Sequence, residues 1–226
     1  MLVPAYPRDV GWHRTTHRLG GTIARKVQKA ANVEPVASSD ARTHILTCAA
    51  RLFRKLGYAA VSLRDVAAEA GVTTGSLYHH FGSKDELVRV VLEQGYRQIL
   101  DDVKAALEDM STSRKPRAVL QAALKAHLTC LLAPDSLPAA NVRIHAHVPQ
   151  QLRNATIKGR RNYETLWIDL LRTYANEGYV PPNIKPRALV MILFGAMNWS
   201  LEWFRPGRDD LDAFADDLLR LIAADD

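Results

Sequence analysis

The strongest constraint on the fold lies at residues 63–81, where two short helical patterns flank Gly71. Apolar residues of the first pattern recur on one helical face, at Leu63, Val66, Ala67 and Ala70. Gly71 follows at a position where helices commonly end in a left-handed residue. A second helix is predicted from about Thr74 to Phe81, with Leu77 and Phe81 facing inward. Two helices joined by so tight a turn are typical of a helix-turn-helix.

The ends of these helices carry residues that cap helices. Ser62 and Asp65 predict a capping box before the first helix. A threonine, Thr73 or Thr74, caps the second. The sequence Ser-Lys-Asp-Glu at 83–86 predicts another capping box, which opens a long helix of about 25 residues.

An apolar stripe from Asp40 to Leu56, closed by Gly57, predicts a helix that packs behind the helix-turn-helix. Periods of 3.6 residues recur along the rest of the chain, and hairpin signals are missing. With 226 residues, of which 47% are apolar, the chain can form a large core. We therefore expect an all-α protein with a three-helix head at residues 39–86 and a larger helical body at 87–226.

The net charge of +6 is concentrated near the N-terminus. Residues 1–38 hold six Lys and Arg against two acidic residues, whereas residues 91–226 hold seventeen of each. A basic end next to a helix-turn-helix suggests phosphates as partners. Residues 1–38 are interpreted as a flexible basic extension, which is either a DNA minor-groove arm or a dispensable solvated tail.

Several classes of protein are disfavoured. Two cysteines, Cys48 and Cys130, are too few for a disulfide framework or a zinc site. The side chains of His145 and His147 would point in different directions on a helix, so this His-X-His pair is a poor metal site. The longest uncharged apolar run, Ala188–Leu201, is too short to span a membrane. Neither a catalytic set nor a cofactor motif is visible. We expect a cytoplasmic protein without a metal, a cofactor, catalytic residues or a membrane partner.

The run AGVTTGSLYHHFGSKDELV, residues 70–88, resembles the DNA-binding signature of the TetR family of bacterial regulators. The resemblance covers about Asp40 to Val90. It implies a homodimer in which each head binds half of a double-stranded DNA operator and each body binds a small-molecule effector. Residues 87–226 would then form the effector-binding and dimerisation domain.

The resemblance also assigns roles in the head. Positions that typically contact phosphates are matched by Ser62, Thr73, Tyr78 and Lys84. Positions near base edges are matched by Thr74, Gly75, Ser76 and His79. Because the second helix is rich in hydroxyls and lacks Arg and Asn, we expect phosphate contacts, apolar contacts and DNA shape to dominate binding.

In the body, an effector pocket is predicted at Tyr96, His127, Arg160, Tyr163, Trp167 and Asn198. His127 could equally be a core histidine that is satisfied by a hydrogen bond. Two helices, after Pro186 and after Asp209, carry more apolar surface than one neighbour covers. By the architecture of the family they form the dimer interface, for which we predict Leu189, Ile192, Ala196, Trp199, Phe214 and Leu218.

The segment Glu202–Gly207 resembles a motif of TetR-like regulators of lipid or acyl-CoA breakdown. It suggests an acyl-CoA-like effector whose phosphates meet Lys158, Arg160 or Arg161, although these cations could also form a solvated face. The sequence thus favours a ligand-responsive repressor that releases its operator when a small hydrophobic or acyl-CoA-like effector binds. The alternative is a small-molecule-binding protein or enzyme with a vestigial helix-turn-helix.

Overall fold

The computed structural model describes residues 38–111, 115–180 and 184–222, with side chains from Asp40 onward. The predicted N-terminal extension lies almost entirely outside these residues, so its role stays a prediction. The described residues form nine α-helices and no β-strand. These are α1 (Ser38–Ala60), α2 (Leu63–Glu69), α3 (Thr74–His80), α4 (Lys84–Asp109), α5 (Pro116–Leu132), α6 (Leu137–Ile144), α7 (Gln150–Asn176), α8 (Pro186–Trp203) and α9 (Leu211–Ile222).

The head, α1–α3 with the start of α4, has the predicted core. The side chains predicted to face inward, Leu63, Leu77 and Phe81, are buried there, together with Phe53 of α1. Gly57 has a φ of 79° and interrupts α1 where the pattern predicted its end. Leu56, placed on the apolar stripe by its spacing, is instead 49% exposed. The inner face of α1 therefore ends one turn earlier than the stripe suggested.

Helix caps form largely as the sequence predicts. The Ser62 amide donates to Asp65 Oδ2 at 2.8 Å, while the Asp65 amide donates to Ser62 Oγ at 3.2 Å. The Ser62 hydroxyl also donates to Asp65 Oδ2, at 2.7 Å, and this bond together with that from the Ser62 amide lowers the pKa of Asp65 by stabilising its carboxylate. The box predicted at residues 83–86 is only half correct. Ser83 Oγ accepts from the Glu86 amide, but Glu86 reaches one residue further back, to the Gly82 amide at 2.9 Å.

The core of the head continues into the body. Ala140 and Ile144 of α6, together with Val148 and Leu152, belong to the same apolar cluster as the head helices. At the surface, Arg51 of α1 pairs with Glu69 of α2 at 2.9 Å and with Asp135 at 3.0 Å, before α6. The predicted boundary at residue 86 therefore does not coincide with a break in packing.

A second apolar cluster fills the body between the C-terminal half of α4 and helices α5, α7, α8 and α9. The apolar face of α5 packs into this cluster, with Leu120, Leu124, Leu128 and Leu131 buried and Leu132 partly buried. Helix α6 is capped by the Ser136 hydroxyl, which lies 3.0 Å from the Ala139 amide, and ends at Ile144. Within the described ranges, no helix is both long and apolar enough to cross a membrane.

The turn between α2 and α3 provides a test of local backbone constraint. Gly71 has a φ of 65°, and a Cβ added there would meet no atom within 4 Å. Gly71→Ala should therefore lower the free energy of unfolding by about 1–2 kcal/mol through backbone strain alone. Gly75→Ala, within α3 and also free of clashes, should leave stability unchanged or raise it. Urea unfolding followed by circular dichroism compares the two, and equal stabilities would contradict the prediction.

Candidate functional site

Helix α3 packs against the rest of the head with one face, and its opposite face is exposed. Leu77 is its buried side chain, and Arg42 of α1 lies 4.6 Å from the ring centroid of Phe81, at the end of α3. On the open side, Tyr78 is 52% exposed and His79 is also exposed. Helix α3 thus presents hydroxyl, phenol and imidazole groups, which suits contact with a polyanion.

The structure places the other predicted DNA contacts in two groups. Exposed residues are Ser62, Thr73 and Gly75, and partly exposed residues are Thr74 and Ser76. Thr73 Oγ1 accepts a hydrogen bond from the Ser76 amide at 3.1 Å. The Thr73 side chain therefore caps α3, and its hydroxyl proton stays free to donate to a phosphate oxygen.

Lys84 lies in a different environment from the other seven residues. Its Nζ donates to the Tyr58 carbonyl oxygen at 2.6 Å and lies 4.2 Å from the centroid of the Tyr58 ring. Burial lowers the pKa of Lys84, although Asp85 and Asp65 act in the opposite direction. Lys84 thus attaches the start of α4 to the end of α1, and its role at a phosphate stays a prediction.

A cavity of about 390 Å³ lies in the body between α4, α5, α6, α7 and α8. Five of the six predicted pocket residues line it: Tyr96, His127, Arg160, Tyr163 and Asn198. Trp167 is the exception, because its ring is fully buried beside His127, with 6.2 Å between centroids, and does not reach the cavity. Other residues of the wall were not predicted from the sequence, notably Gly95, Asn141, His145, Glu164 and Phe194.

A chain of paired polar groups occupies one part of the cavity wall. Arg160 Nε bonds Glu164 Oε1 at 2.6 Å, and Arg160 Nη1 lies 3.1 Å from His145 Nε2. Tyr96 Oη lies 3.1 Å from His145 Nδ1. Because arginine only donates, Nε2 accepts and the neutral ring carries its proton on Nδ1. Burial, reinforced by Arg160 and Arg153, lowers the pKa of His145 and favours this neutral form.

Aromatic rings form another part of the wall. His127 Nδ1 is 2.6 Å from Tyr163 Oη, and Tyr163 stacks on Phe194 with 5.4 Å between centroids. Burial lowers the pKa of His127 to about 3 and raises that of Tyr163, so both groups are neutral. The two interpretations of His127 therefore both describe it in part: it is a hydrogen-bonded core residue that also lines the cavity.

The cations predicted to meet effector phosphates are separated by the structure. Arg160 lines the cavity but is already paired with Glu164. Lys158 and Arg161 are exposed and are absent from the cavity wall. The segment Glu202–Gly207 is also absent from that wall; it contains the last two residues of α8 and the start of the turn that follows. There Phe204 is buried and the Arg205 amide donates to Asp209 Oδ2 at 2.7 Å, so the described contacts of the segment are structural.

One face of α8 remains uncovered in the single chain. Ile192 is 60% exposed and Trp199 is 67% exposed, although both are large and apolar. Ala196 and Phe214, also predicted at the dimer interface, are partly buried. Leu189 and Leu218 are instead buried among the helices of the body, so they offer little surface to a partner in the single chain, and the dimer interface stays a prediction. Their spacing places them on the apolar face of a helix but does not show which neighbour covers that face.

Two known protein families match the chain, one over the head and one over the body. Residues 45–91 match the family described as "Bacterial regulatory proteins, tetR family". Residues 113–224 match the family described as "Tetracyclin repressor-like, C-terminal domain". Among the described residues, no cluster of three or more His, Cys, Asp or Glu side chains is arranged to hold a metal ion.

Individual relatives span most of the chain. The HTH-type transcriptional repressor KstR2 of Mycobacterium tuberculosis is 31% identical over 172 residues, which cover 74% of this chain and 82% of KstR2. KstR2 of Rhodococcus jostii is 29% identical over 171 residues, covering 75% of this chain and 82% of the relative.

Solved structures share the fold. The structure of the "ketosteroid transcriptional regulator KstR2" of Mycobacterium tuberculosis has a TM-score of 0.65 and 25% identity, covering 84% of this chain and 97% of that one. AibR, solved with isovaleryl coenzyme A and operator DNA, has a TM-score of 0.71 and 22% identity, covering 80% of this chain and 97% of that one. At this identity the AibR match shows a common fold.

The buried His127 should make the protein sensitive to mild acid. Its pKa is about 3 in the folded chain and about 6.5 when unfolded, so the unfolded state binds the proton first as the pH falls below 6.5. His127 therefore contributes a loss of stability of up to about 1.4 kcal/mol per pH unit between these values. His127→Phe should flatten the dependence of unfolding free energy on pH between 6.5 and 4. Parallel slopes for the two proteins in urea titrations would contradict this assignment.

Proposed function

This chain belongs to the TetR family of bacterial regulatory proteins, and from that premise we propose that it is a homodimeric transcriptional repressor with a releasable operator. Each head binds one half of a double-stranded DNA operator through α3. A small hydrophobic or acyl-CoA-like effector enters the cavity of the body and releases the DNA. Because its target is chromosomal DNA, we place its action in the cytoplasm.

The position of α6 is the observation that supports this proposal best. Its Pro138 and Asn141 line the cavity. Its Ala140 and Ile144 belong to the apolar cluster of the head. One short helix therefore contacts both the effector site and the helices that carry α3. An effector that binds better to one position of α6 shifts the population toward that position.

Release then requires only a change in the spacing of the two heads. Recognition helices of a dimeric helix-turn-helix protein fit successive major grooves about 34 Å apart. A displacement of α6 by a bound effector moves α1, since the two helices share a core. A mismatch in spacing weakens both half-site contacts together, which makes a small movement sufficient.

The cavity favours a compact, largely apolar effector. A volume of about 390 Å³ with a wall that includes Ile99, Leu131 and Phe194 suits a fused-ring or short acyl skeleton. The relative KstR2 is described as a ketosteroid regulator, which agrees with a ring skeleton. Arg160 and Glu164 neutralise each other at the polar part of the wall. We infer that the effector is held mainly by apolar contact and by a few hydrogen bonds.

We propose no catalytic activity for the chain. The most perturbed side chains of the cavity, His127 and Tyr163, are held neutral by burial and bonded to each other. Such a pair stabilises a binding pocket but offers no base poised near neutral pH. The alternative of an enzyme with a vestigial head would require turnover of a substrate in this cavity.

Operator binding tests the role of α3. Tyr78→Ala should weaken binding to DNA from upstream of the gene by roughly tenfold or more, because a hydrogen bond to a charged group contributes about 1.5–3 kcal/mol. Stability should change little, since Tyr78 is half exposed. Leu56→Ala, an exposed apolar site on α1, serves as the matched control. Gel shifts over a salt series check both, and an unaltered Tyr78→Ala complex would remove Tyr78 from the interface.

Dimerisation tests the role of the exposed face of α8. Trp199→Glu and Ile192→Glu place a charge on an apolar surface that we assign to the interface, so each should convert the dimer to a monomer and abolish tight operator binding. Ile157→Glu makes the same change at an exposed residue of α7 and should leave the dimer intact. Light scattering after size exclusion gives the mass. A dimer that survives both α8 substitutions would require another interface.

A further inference from the structure

Two buried polar side chains in the cavity wall each retain one atom without a partner. His127 is 2% exposed and Asn141 is 4% exposed, and both line the cavity. Within the described residues, neither His127 Nε2 nor Asn141 Oδ1 has a hydrogen-bond partner. Buried polar atoms are normally paired with protein or water, and an unpaired one carries a free-energy penalty. Such atoms in a cavity wall mark where a ligand's polar group can bind.

The orientation of Asn141 is set by its other hydrogen bond. Its Nδ2 donates to the Leu92 carbonyl oxygen of α4 at 2.9 Å. The amide oxygen is therefore the atom left over, and an amide oxygen only accepts hydrogen bonds. A ligand group at this point must bring a donor. A ketone, ether or ionised carboxylate has none.

The chemistry of His127 narrows the group further. Tyr163 already occupies Nδ1, and the neutral ring leaves Nε2 as either a donor or an acceptor. A hydroxyl group that donates its one proton to Asn141 Oδ1 can still accept a hydrogen bond from His127 Nε2–H, in the tautomer whose Nδ1 accepts from the Tyr163 hydroxyl. A carboxylate would instead enter a region where burial holds His127 neutral, and the cavity cation Arg160 is already paired with Glu164. The free-energy cost of removing the carboxylate from water would therefore not be offset by a paired charge.

We propose that the effector carries an uncharged hydroxyl group that binds Asn141 and His127 at the buried part of the cavity. The carbon skeleton then lies against the aromatic wall formed by Tyr163 and Phe194. This inference rests on the proposed effector-binding function and deepens it by naming the group that the protein recognises. It makes Asn141 and His127 specificity-determining residues. Because Asn141 also contacts α4 and belongs to α6, the hydroxyl is bound by the helix that we propose transmits the signal.

A matched set of probes tests this on the purified full-length dimer without DNA. Decalin, 2-decalol and decalin-2-carboxylate share one rigid skeleton and differ in a single group. Isothermal titration calorimetry should give 2-decalol a dissociation constant at least about tenfold lower than those of the other two, because a site built for a hydroxyl rejects analogues without it. Equal affinity of the alcohol and the hydrocarbon would overturn the proposal, and so would tighter binding of the carboxylate. Equal affinity would mean that water alone satisfies the two atoms.

Substitutions assign the preference to the two residues. In His127→Phe and in Asn141→Ala, the ratio of the dissociation constants of decalin and 2-decalol should fall by about tenfold, whatever the absolute affinity of each variant for decalin. Met191→Leu changes an apolar part of the wall and should keep the preference. A preference that survives in both folded variants would overturn the assignment. Should either variant fail to fold, as judged by circular dichroism, the wild-type series and the remaining variant still decide.

The outcome is separable from that of the repressor proposal. Operator binding is measured by gel shift with the same preparation and without a probe. If no neighbouring promoter DNA forms a salt-sensitive complex with the protein, the repressor proposal is contradicted. The calorimetric preference for the alcohol would be unaffected by that result. A normal operator complex together with no preference for the alcohol would contradict only the hydroxyl site.

Discussion

The hydrogen bond from Asn141 Nδ2 to the Leu92 carbonyl is the interaction on which the placement of α6 depends. The Asn141 side chain lies against Gly95 of α4, where an added Cβ would be 2.5 Å from Asn141 Nδ2. Glycine is therefore required here for close approach of the two helices, since no φ above zero is involved. With α6 held against α4, its apolar residues can complete the core of the head while its polar residues remain in the cavity wall.

The ion pairs that link the head to the body lie at the surface. Arg51 joins α1, α2 and the turn before α6 through exposed ion pairs, which contribute little stability. Deeper in the body, His127 and Tyr163 are neutral because burial disfavours their charged forms. His127 and Tyr163 therefore add no charge to the aromatic cluster in which they are buried. In the cavity wall, His127 Nε2 and Asn141 Oδ1 belong to uncharged groups and have no partner among the described residues, so a neutral ligand can satisfy them at low cost.

Local signals in the sequence predicted the head well because its structure is determined by short-range chemistry. Ser62 with Asp65, Thr73 before α3 and Gly71 in the turn act on backbone atoms within four residues. The pocket was predicted less completely. His145 and Phe194 lie about 50 residues apart on the chain, and their convergence depends on how α6 and α8 pack. No periodicity within one helix reports that packing.

The sequence by itself determined the helical class, the ends of most helices and the recognition helix, since capping and the 3.6-residue period are local properties. It also identified five of the residues that line the cavity. Only the tertiary structure decided which apolar residues of α8 are covered, placing Leu189 in the core and leaving Trp199 exposed. It likewise directed Lys84 toward Tyr58 and joined the head to the cavity through α6. Those outcomes depend on contacts between distant segments, whose geometry arises when the helices pack.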